Sequence, residues 1–442
     1  MFENKNIFIL GMARSGYEAA KLLSKYNNKI LVTDKQEQDI EHVKELETLG
    51  VEVVITDTPA ELLNEKYDVV VKNPGINPNH EIVNKAKELG IPVVTEIEVA
   101  YYFKPDSVKV VAITGSNGKT TTTTLTYDIL KKANLPVRLG GNIGYPVCSL
   151  LEKTKENDIW VLEISGQQLH DIINFKPDIS VLTNLSEVHL DYFGDYEKYK
   201  YSKCRIFENH NENNIAILNQ DNSDVLEETK CILSKKIYFS SKTKSDLYIV
   251  DNSIYYYDEK IIDINDMHIK GNHNYENAMC AIAVAKEFDV PNECIFDILS
   301  TFNGVEHRIE FVKHVDGVDY YNDSKATNVK STIIALSAFT SPTILLLGGL
   351  DRGHSFEELK DYLKNTKHII CFGETKYRIE EFAKTIGIPC KVVDNIKESV
   401  SLAHSLAKCG DVVLLSPACA SWDQYKCFED RGNEFKENVN NL

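Results

Sequence analysis

VVAITGSNGKT, residues 110–120, is the stretch that decides the fold of the central part of this 442-residue chain. A β-branched apolar run ends at Thr114, and a glycine loop then leads into the threonine-rich residues 121–124. A strand, a tight loop and a helix start in this order place backbone N–H groups and a helix N-terminus around a phosphate. The residues predicted to bind a nucleotide here are Gly115, Ser116, Asn117, Gly118, Lys119, Thr120 and Thr121.

Two residues of this loop carry chemistry of their own. Lys119 can reach the β- and γ-phosphates, and the Thr120 hydroxyl can bind Mg²⁺. The pattern departs from a full P-loop because Ile113 stands where a glycine is usual. A plain strand–turn–helix that binds no ligand is the alternative interpretation.

The composition is that of a globular protein, with 43% hydrophobic and 26% charged residues, and the length favours two or three domains. The net charge of −17 disfavours nucleic acid as the main partner. Ten scattered cysteines without a CxxC pair favour free thiols in a reducing cytoplasm. We find neither a signal-peptide pattern nor an apolar run long enough to span a membrane, so we expect a cytoplasmic protein, and a monomer.

The N-terminal segment has the pattern of a nucleotide-binding unit. Residues 6–10 predict a buried strand, residues 11–16 (GMARSG) a loop into a helix, and residues 29–34 a second strand. Asp34 ends that strand about where a Rossmann fold carries an acidic residue. The glycine spacing is GxxxxG instead of GxGxxG, which argues against a dinucleotide and leaves a diphosphate or uridine-type site open.

Strands followed by polar loops recur through the rest of the chain, at the edge where parallel sheets bind ligands. Residues 237–269 predict short antiparallel strands, and residues 271–288 predict a polar loop followed by an amphipathic helix. We therefore expect an α/β fold with three domains. These are a Rossmann-like N-terminal domain (1–97), a central P-loop ATPase domain with a mainly parallel sheet (98–303) and a Rossmann-like C-terminal domain (304–442).

Nine motifs occur in the order found in one enzyme family. They are TGSNGKT, GGNIG, LEIS, NLSEVHLD, YSKCRIF, GNHNYEN, EHRIE, NDSKATN and LLSPACASWDQYKCFEDRG. Over nearly its whole length the chain resembles the Mur ligases, ATP-dependent enzymes that add amino acids to the cell-wall precursor. Residues 416–435 are most similar to the members that add D-glutamate. The resemblance implies ATP and Mg²⁺ as cofactors, UDP-N-acetylmuramoyl-L-alanine and D-glutamate as substrates, and an acyl-phosphate intermediate.

The resemblance also implies a metal centre built from Thr120, Glu163, His189 and Lys203. Taken singly, Glu163 is a strand-end acid and His189 a structural or surface histidine. A hard carboxylate oxygen nevertheless suits Mg²⁺, and the family pattern makes His189 a second-metal ligand or a substrate contact. Val188 stands where the family commonly has an aspartate, so Glu187 or Asp191 is left to supply that group.

Three lysines and His189 are the expected catalytic residues. Lys203 lies in a helical stretch and, by its context, would be a surface lysine. The resemblance implies instead that CO₂ carbamylates Lys203, which turns a cation into a carboxylate that orients the metals. It places Lys325 by the γ-phosphate and the incoming amino acid, opposite Lys119.

The remaining site residues follow from the same resemblance. The further ATP contacts are Asn274, Asn277, Arg308 and Asp323. The residues expected to bind the UDP substrate are Arg14, Ser15, Gly16, Asp34, Asn73, Gly75, Asn142 and Gln168. Those expected to hold D-glutamate are Lys325, Thr327, Ser421, Trp422 and Phe428. By residue type alone, the asparagines are turn or capping residues in loops. Arg352 is expected to replace a lysine that the family usually has after Gly348-Gly349.

Two other functions compete with this one. Another Mur-type ligase or a folylpolyglutamate synthase-like ligase shares the GKT core, but the latter needs a pterin site, and residues 1–97 argue against it. A non-catalytic nucleotide-binding regulator would keep the P-loop and lose Glu163, Lys203 and Lys325, all of which are present.

Overall fold

The computed structural model describes residues 1–188 and 190–442, without the side chains of residues 190 and 191. The chain divides into two compact units, Met1–Phe302 and Asn303–Leu442. The described residues form three sheets, two in the first unit and one in the second. The fold is therefore α/β with three domains and mainly parallel sheets, as expected.

The N-terminal sheet is parallel throughout, with the order β3-β2-β1-β4-β5. Its strands are β1 (Asn6–Leu10), β2 (Lys29–Asp34), β3 (Glu52–Ile55), β4 (Val69–Lys72) and β5 (Val93–Val94). Its helices are α1 (Arg14–Leu23), α2 (Ile40–Thr48), α3 (Glu81–Glu88) and α4 (Glu96–Phe103). The strand order reverses at β1, and parallel sheets bind ligands at such a switch point. The carboxyl ends of β1, β2 and β4 meet there, which brings together the loops that contain residues 11–16, Asp34 and Asn73.

The central sheet has the order β14-β13-β12-β11-β10-β9-β6-β8-β7. Its strands are β6 (Lys109–Thr114), β7 (Val137–Gly141), β8 (Ile159–Glu163), β9 (Ile179–Leu182), β10 (Ile215–Asn219), β11 (Lys235–Ser240), β12 (Leu247–Val250), β13 (Ser253–Tyr256) and β14 (Glu259–Asp263). The associated helices are α5 (Lys119–Lys132), α6 (Val147–Leu150), α7 (Gly166–Leu169), α8 (Leu190–Phe193), α9 (Tyr196–Cys204), α10 (Ser223–Glu228), α11 (Asn272–Lys286) and α12 (Asn292–Thr301).

Two predictions for this domain were wrong in part. The strands within residues 237–269 are not all antiparallel, because β11 pairs parallel with both β10 and β12, and only β12 to β14 alternate. Helix α11 begins at Asn272, so Asn274 and Asn277 lie on a helix and not in a loop. Residues 277–285 are buried on all sides, since α11 packs against both α5 and the sheet, so this helix is not amphipathic.

The second unit contains the sheet order β15-β16-β20-β17-β18-β19. Its strands are β15 (Glu310–Val315), β16 (Val318–Asn322), β17 (Thr343–Gly348), β18 (Thr366–Phe372), β19 (Cys390–Val392) and β20 (Val412–Leu415). Its helices are α13 (Val329–Ser337), α14 (Lys376–Ile386), α15 (Ile396–Leu406) and α16 (Phe428–Asn440). Only the edge pair β15/β16 is antiparallel. Strand β17 is buried at every residue, as a central parallel strand covered on both faces should be.

All ten cysteines are free thiols, as expected. Among the described helices, none has the length and apolarity needed to cross a membrane.

Candidate active site

The glycine loop between β6 and α5 is tightly built. Gly115 has φ +147° and Gly118 has φ +81°, and a side chain at these positions would overlap Thr183 and Asn277 respectively. The Lys119 ammonium donates to the carbonyls of Gly115 and Ser116, at 2.9 Å each. The lysine is thus folded over its own loop, at the N-terminus of α5, where a phosphate is attracted.

The loop after β9 stabilises the glycine loop through hydrogen bonds. Asn184 accepts from the Ser116 amide through its carbonyl (2.9 Å) and from the Asn117 amide through its side chain (3.0 Å). Thr183 Oγ1 donates to the Asn117 carbonyl at 2.6 Å, and the hydroxyls of Ser116 and Tyr199 lie 2.7 Å apart. The sequence patterns predict no role for Thr183, Asn184 or Tyr199, although the NLSE motif directly after a strand is a signal for Asn184. The Ser116 and Asn117 amides are therefore already hydrogen-bonded. The first amides of α5 have no acceptor within the helix, so they are the donors best suited to phosphate.

Glu163, at the carboxyl end of β8, is suited to a divalent cation. It pairs in register with Ile113 of β6, which places it beside the glycine loop. The Asn142 amide donates to Oε1 at 2.7 Å, whereas the buried Oε2 has no hydrogen-bond partner among the described residues. An ionised oxygen buried in this way is costly unless a cation or a hydrogen-bond donor satisfies it. The residues present therefore fit Mg²⁺.

Few protein ligands are available for a metal at this candidate site. Residues 1–188 and 190–442 contain no cluster of three or more His, Cys, Asp and Glu side chains arranged to hold a metal. His189 lies outside the described residues. Thr120 is buried at the second position of α5. A single carboxylate and a hydroxyl agree with the way Mg²⁺ usually binds beside nucleotides, with phosphate oxygens and water completing its shell.

Lys203 is buried, with 2% of its surface exposed, so it is not the surface lysine that its local context alone suggests. Helix α9 packs on α7, where the Ser202 hydroxyl donates to the Gly166 carbonyl at 2.7 Å. Its Nζ lies 3.5 Å from the Thr114 hydroxyl and 5.0 Å from the Tyr199 ring centre. Burial, and then the Lys119 cation, lower the pKa of Lys203 well below its ordinary value, with Glu163 opposing them.

Residues predicted for the UDP substrate meet at the switch point of the N-terminal sheet. Asp34 accepts from the Met12 amide at 2.7 Å, so this carboxylate holds the loop after β1. The Asn73 side chain accepts from the Gly75 amide at 3.0 Å and donates to the Ser15 hydroxyl at 3.3 Å. The structure thus joins the GMARSG loop to the NPG turn.

Two contacts extend this cluster towards the metal residue. Arg14, the first residue of α1, donates to the Gly144 carbonyl at 2.8 Å. Gly144 lies in the turn that contains Asn142, and Asn142 in turn donates to Glu163. Gln168 has a local role, since it forms a capping box with Ser165 at the start of α7. Its contact with substrate stays a prediction.

Asn277 and Asn274 lie on the first two turns of α11. Asn277 is buried behind the glycine loop, where its side-chain oxygen accepts from the Thr122 hydroxyl at 3.3 Å. Asn274 donates to the Lys270 carbonyl at 2.9 Å at the surface. The structure therefore brings Asn277 to the loop, while the proximity of either residue to adenine stays a prediction.

In the second unit, Asp323 follows β16 and is buried. It accepts from the Ser416 hydroxyl at 2.7 Å and from the Ile309 amide at 3.2 Å. Burial raises the pKa of Asp323 to about 7, against these hydrogen bonds and the nearby Arg308 cation. The carboxyl thus ties the loop after β16 to the end of β20.

Four of the residues predicted for D-glutamate lie on two loops that a buried arginine joins, and the fifth, Phe428, is the first residue of α16. The Arg431 guanidinium donates to the carbonyls of Ser324 (2.9 Å) and Cys419 (3.1 Å), next to Lys325 and two residues before Ser421. Local sequence predicts no role for Arg431, because its fully buried position depends on the tertiary structure.

The other members of this group differ in exposure. Ser421 is buried, and the Lys325 ammonium lies 5.8 Å from the Phe428 ring centre. Trp422 is 63% exposed, with the Arg352 guanidinium 4.8 Å from its ring centre. Thr327 is half-buried, and its amide donates to the Lys325 carbonyl at 2.9 Å.

Comparisons with known proteins agree with this geometry. Family models match residues 5–95 ("Mur ligase MurD-like, N-terminal domain"), 113–285 ("Mur ligase middle domain") and 307–419 ("Mur ligase, glutamate ligase domain"). The chain is 43% identical over 447 residues to the UDP-N-acetylmuramoylalanine–D-glutamate ligase of Geobacillus sp. (strain WCH70), covering 100% of this chain and 98% of that one. It is 44% identical over 448 residues to the enzyme of the same name from Geobacillus kaustophilus (strain HTA426), with the same coverage.

Solved structures agree on the fold. The UDP-N-acetylmuramate-alanine ligase MurC from Thermotoga maritima superposes with a TM-score of 0.58 at 17% identity, and 99% of each chain is covered. A murein peptide ligase from Psychrobacter arcticus gives a TM-score of 0.52 at 17% identity, again over 99% of both chains. From these matches and from the full-length relatives above 40% identity, the chain belongs to the Mur ligase family.

Proposed function

We propose that the chain is an ATP-dependent ligase that joins D-glutamate to UDP-N-acetylmuramoyl-L-alanine in the synthesis of the peptidoglycan precursor. The observation that supports this most is the group of residues around the glycine loop. There Lys119, the Glu163 oxygen that has no hydrogen-bond partner among the described residues, and the buried Lys203 belong to neighbouring elements of one sheet edge. The full-length similarity to relatives named for this reaction supports the choice of substrates.

The reaction has two covalent steps. A carboxylate oxygen of UDP-N-acetylmuramoyl-L-alanine attacks the γ-phosphorus of ATP, which gives an acyl-phosphate and releases ADP. The amino nitrogen of D-glutamate then attacks the acyl carbon, and inorganic phosphate leaves as the amide forms and the amine loses a proton. Positioning and charge neutralisation supply most of the rate in such phosphoryl transfers.

Lys119 and the first amides of α5 are the groups proposed to neutralise the transferred phosphoryl. Mg²⁺, when bound, would offset the charge of the β- and γ-phosphates. Thr120 and Glu163 are the residues proposed to hold it, with His189 as a further ligand. Lys325 is proposed to act on the same phosphate and on the incoming amine.

Lys203 is proposed to carry a carbamate. Only a neutral amine attacks CO₂, and burial favours the neutral form of this lysine. The new N–C bond forms as the nitrogen loses a proton, so the neutral amine becomes an anionic carbamate. An anion at this position would be attracted to the cations at Glu163, whereas an ammonium group would be repelled.

Selectivity for D-glutamate is proposed to reside in the second unit. The side-chain carboxylate of the substrate needs convergent donors, and Ser421, Thr327 and Arg352 are available. Arg352 lies over the exposed Trp422 ring, which keeps its guanidinium near the loop that carries Ser421. An amino acid without the second carboxylate would leave these donors unpaired, at a cost of roughly 2–5 kcal/mol.

The test is ATP-dependent phosphate release with UDP-N-acetylmuramoyl-L-alanine, screened across D- and L-amino acids. We expect D-glutamate to be the only good substrate. Equal use of L-glutamate, D-alanine or L-lysine would contradict the proposed specificity. Because the substrates are a nucleotide-linked precursor and ATP, we place the reaction in the cytoplasm.

The amino-acid site has its own test. Ser421→Ala should raise the KM for D-glutamate about tenfold or more and leave the KM for ATP nearly unchanged. Ser399→Ala is a matched control, because Ser399 is also buried in the second unit but donates only to the Asn395 carbonyl of its own helix, at 2.9 Å. An unchanged KM for D-glutamate in Ser421→Ala would show that the amino-acid site lies elsewhere. It would not contradict the proposed ligase activity.

A further inference from the structure

Lys72 is the last residue of β4, and its side chain is fully buried. Neighbouring groups compensate the charge of its ammonium group. Its Nζ lies 2.8 Å from the Ile76 carbonyl, 3.1 Å from the Tyr192 hydroxyl and 3.0 Å from Asp171 Oδ2. Burying an ammonium group is expensive unless each proton finds an acceptor. Here the Ile76 carbonyl and the Tyr192 hydroxyl accept hydrogen bonds, and Asp171 supplies the opposite charge at ion-pair distance. Tyr192 and Asp171 belong to the central domain.

Tyr192 holds the same turn from a second direction. Its hydroxyl lies 3.0 Å from both the Pro74 and the Ile76 carbonyls, while it accepts from Lys72. The side-chain amide of Asn77 in turn lies 3.5 Å from the Tyr192 carbonyl. The NPG turn and the residue that follows it are thus attached to α8 through the Pro74 and Ile76 carbonyls.

Asp171 is the third side chain of the cluster around the Lys72 ammonium group, with Lys72 and Tyr192. Its other oxygen lies 2.8 Å from His170 Nδ1. Burial opposes ionisation of Asp171, but His170 and Lys72 more than offset it and hold the pKa of the carboxyl below its ordinary value. The pair Lys72–Asp171 is therefore a buried ion pair that joins the end of β4 to the segment after α7.

We propose that Lys72 is a positioning residue for the UDP substrate, and that it acts by locking the NPG turn to the central domain. The inference rests on the proposed function, because Asn73 and Gly75 of this turn are predicted to bind that substrate. Lys72 does not touch the substrate itself, since its ammonium points into the protein. It fixes the backbone that carries Asn73, whose side chain joins Gly75 and Ser15. A small displacement of such a backbone is enough to weaken binding and orientation.

The test uses a double variant so that stability and positioning separate. Lys72→Met alone leaves Asp171 buried without its cation, which should lower stability. Adding Asp171→Asn removes that unpaired charge and should restore most of the thermal stability without restoring the turn. We therefore expect the double variant to have a KM for the UDP substrate about tenfold higher, with the KM values for ATP and D-glutamate within about twofold of wild type.

Two further variants sharpen the result. Tyr192→Phe keeps the ring and removes only the hydroxyl, so it should raise the same KM by a smaller factor. Lys104→Met is the control: Lys104 is partly buried and donates to two carbonyls, of Pro105 and Val108 at 2.9 Å each, but it is not part of the cluster around the turn. We expect it to leave all three KM values unchanged.

The inference fails if the double variant binds the UDP substrate as tightly as wild type, measured by calorimetry without ATP and by KM. It also fails if all three KM values rise together, because a purely structural ion pair would act in that way. If wild-type protein ligates no D-glutamate at all, the proposed function fails instead, which calorimetry with the UDP substrate distinguishes from a failure of the positioning role.

Discussion

Glu96, the first residue of α4, should make the stability of the first unit depend on pH. Its carboxyl is buried between α4 and α6, where it accepts from the Cys148 amide. Burial raises the pKa of Glu96 from 4.5 to about 7, although that hydrogen bond opposes the shift. We therefore change this residue to glutamine, which keeps the shape and cannot ionise.

The direction of this pH dependence follows from the protonation state of Glu96 that folding favours. Folding favours the protonated carboxyl, so the contribution of Glu96 to stability is fully present below pH 4.5 and is lost as the pH rises through about 7. With these two pKa values, the contribution falls by roughly 2–3 kcal/mol between pH 5 and pH 8. Glu96→Gln has no such loss. Relative to wild type, the variant should therefore gain roughly 2–3 kcal/mol in free energy of unfolding on going from pH 5 to pH 8.

The assay is urea unfolding followed by tryptophan fluorescence. The chain has two tryptophans, and Trp160 is buried in β8 of the first unit. A Trp422→Phe background leaves Trp160 as the only reporter, so the signal follows the first unit and not the second. Effects of other titrating groups cancel in the difference between variant and wild type.

Glu98→Gln is the matched control on the same helix. Glu98 is also buried, but its carboxylate accepts from the amides of Ile173 (3.0 Å), Asn174 (2.6 Å) and Phe175 (2.9 Å). We expect its replacement to destabilise the first unit at pH 8, opposite in sign to Glu96→Gln. An equal difference between Glu96→Gln and wild type at pH 5 and pH 8 would refute the buried, protonated carboxyl.

Three further predictions concern the active site. Lys119→Ala should slow ligation by on the order of 10³-fold or more, because a cation at the transferred phosphate is lost; near wild-type phosphate release would refute the P-loop assignment. Lys203→Ala should fold but be nearly inactive, and an added short carboxylic acid should restore ligation; inactivity without such rescue would contradict the carbamate. Arg431→Met should destabilise the second unit by about 2–4 kcal/mol in urea unfolding, since the Ser324 and Cys419 carbonyls lose their donor, and should raise the KM for D-glutamate more than that for ATP; unchanged values of both would contradict its bridging role.

Local patterns predicted much of the fold. The apolar run before Gly11 and the run KILVTD became β1 and β2 with the predicted bounds, and the glycine loop lies between β6 and α5 as expected. These predictions held because strands buried on both faces must be apolar throughout, and because a strand, a tight turn and a helix start are specified by neighbouring residues. The ordered motifs added the family and hence the candidate residues.

The wrong predictions share a physical cause. Local polarity predicts an amphipathic helix for α11 and, without the family resemblance, would place Lys203 at the surface. Burial is instead decided by what packs on an element, and α11 is covered by both α5 and the sheet. Lys203 lies on α9, which packs on α7, and its side chain is buried as well.

By itself, the sequence determined the order of strands and helices, the glycine loop and the family. Only the tertiary structure decided which distant groups meet. Lys72 and Asp171 are 99 positions apart in the chain and form one buried ion pair, while Arg431 joins Ser324 to Cys419. Local propensity acts over a few residues, whereas the pairing of buried charges depends on the packing of whole elements, because a charge is kept in the interior only where the fold supplies its partner.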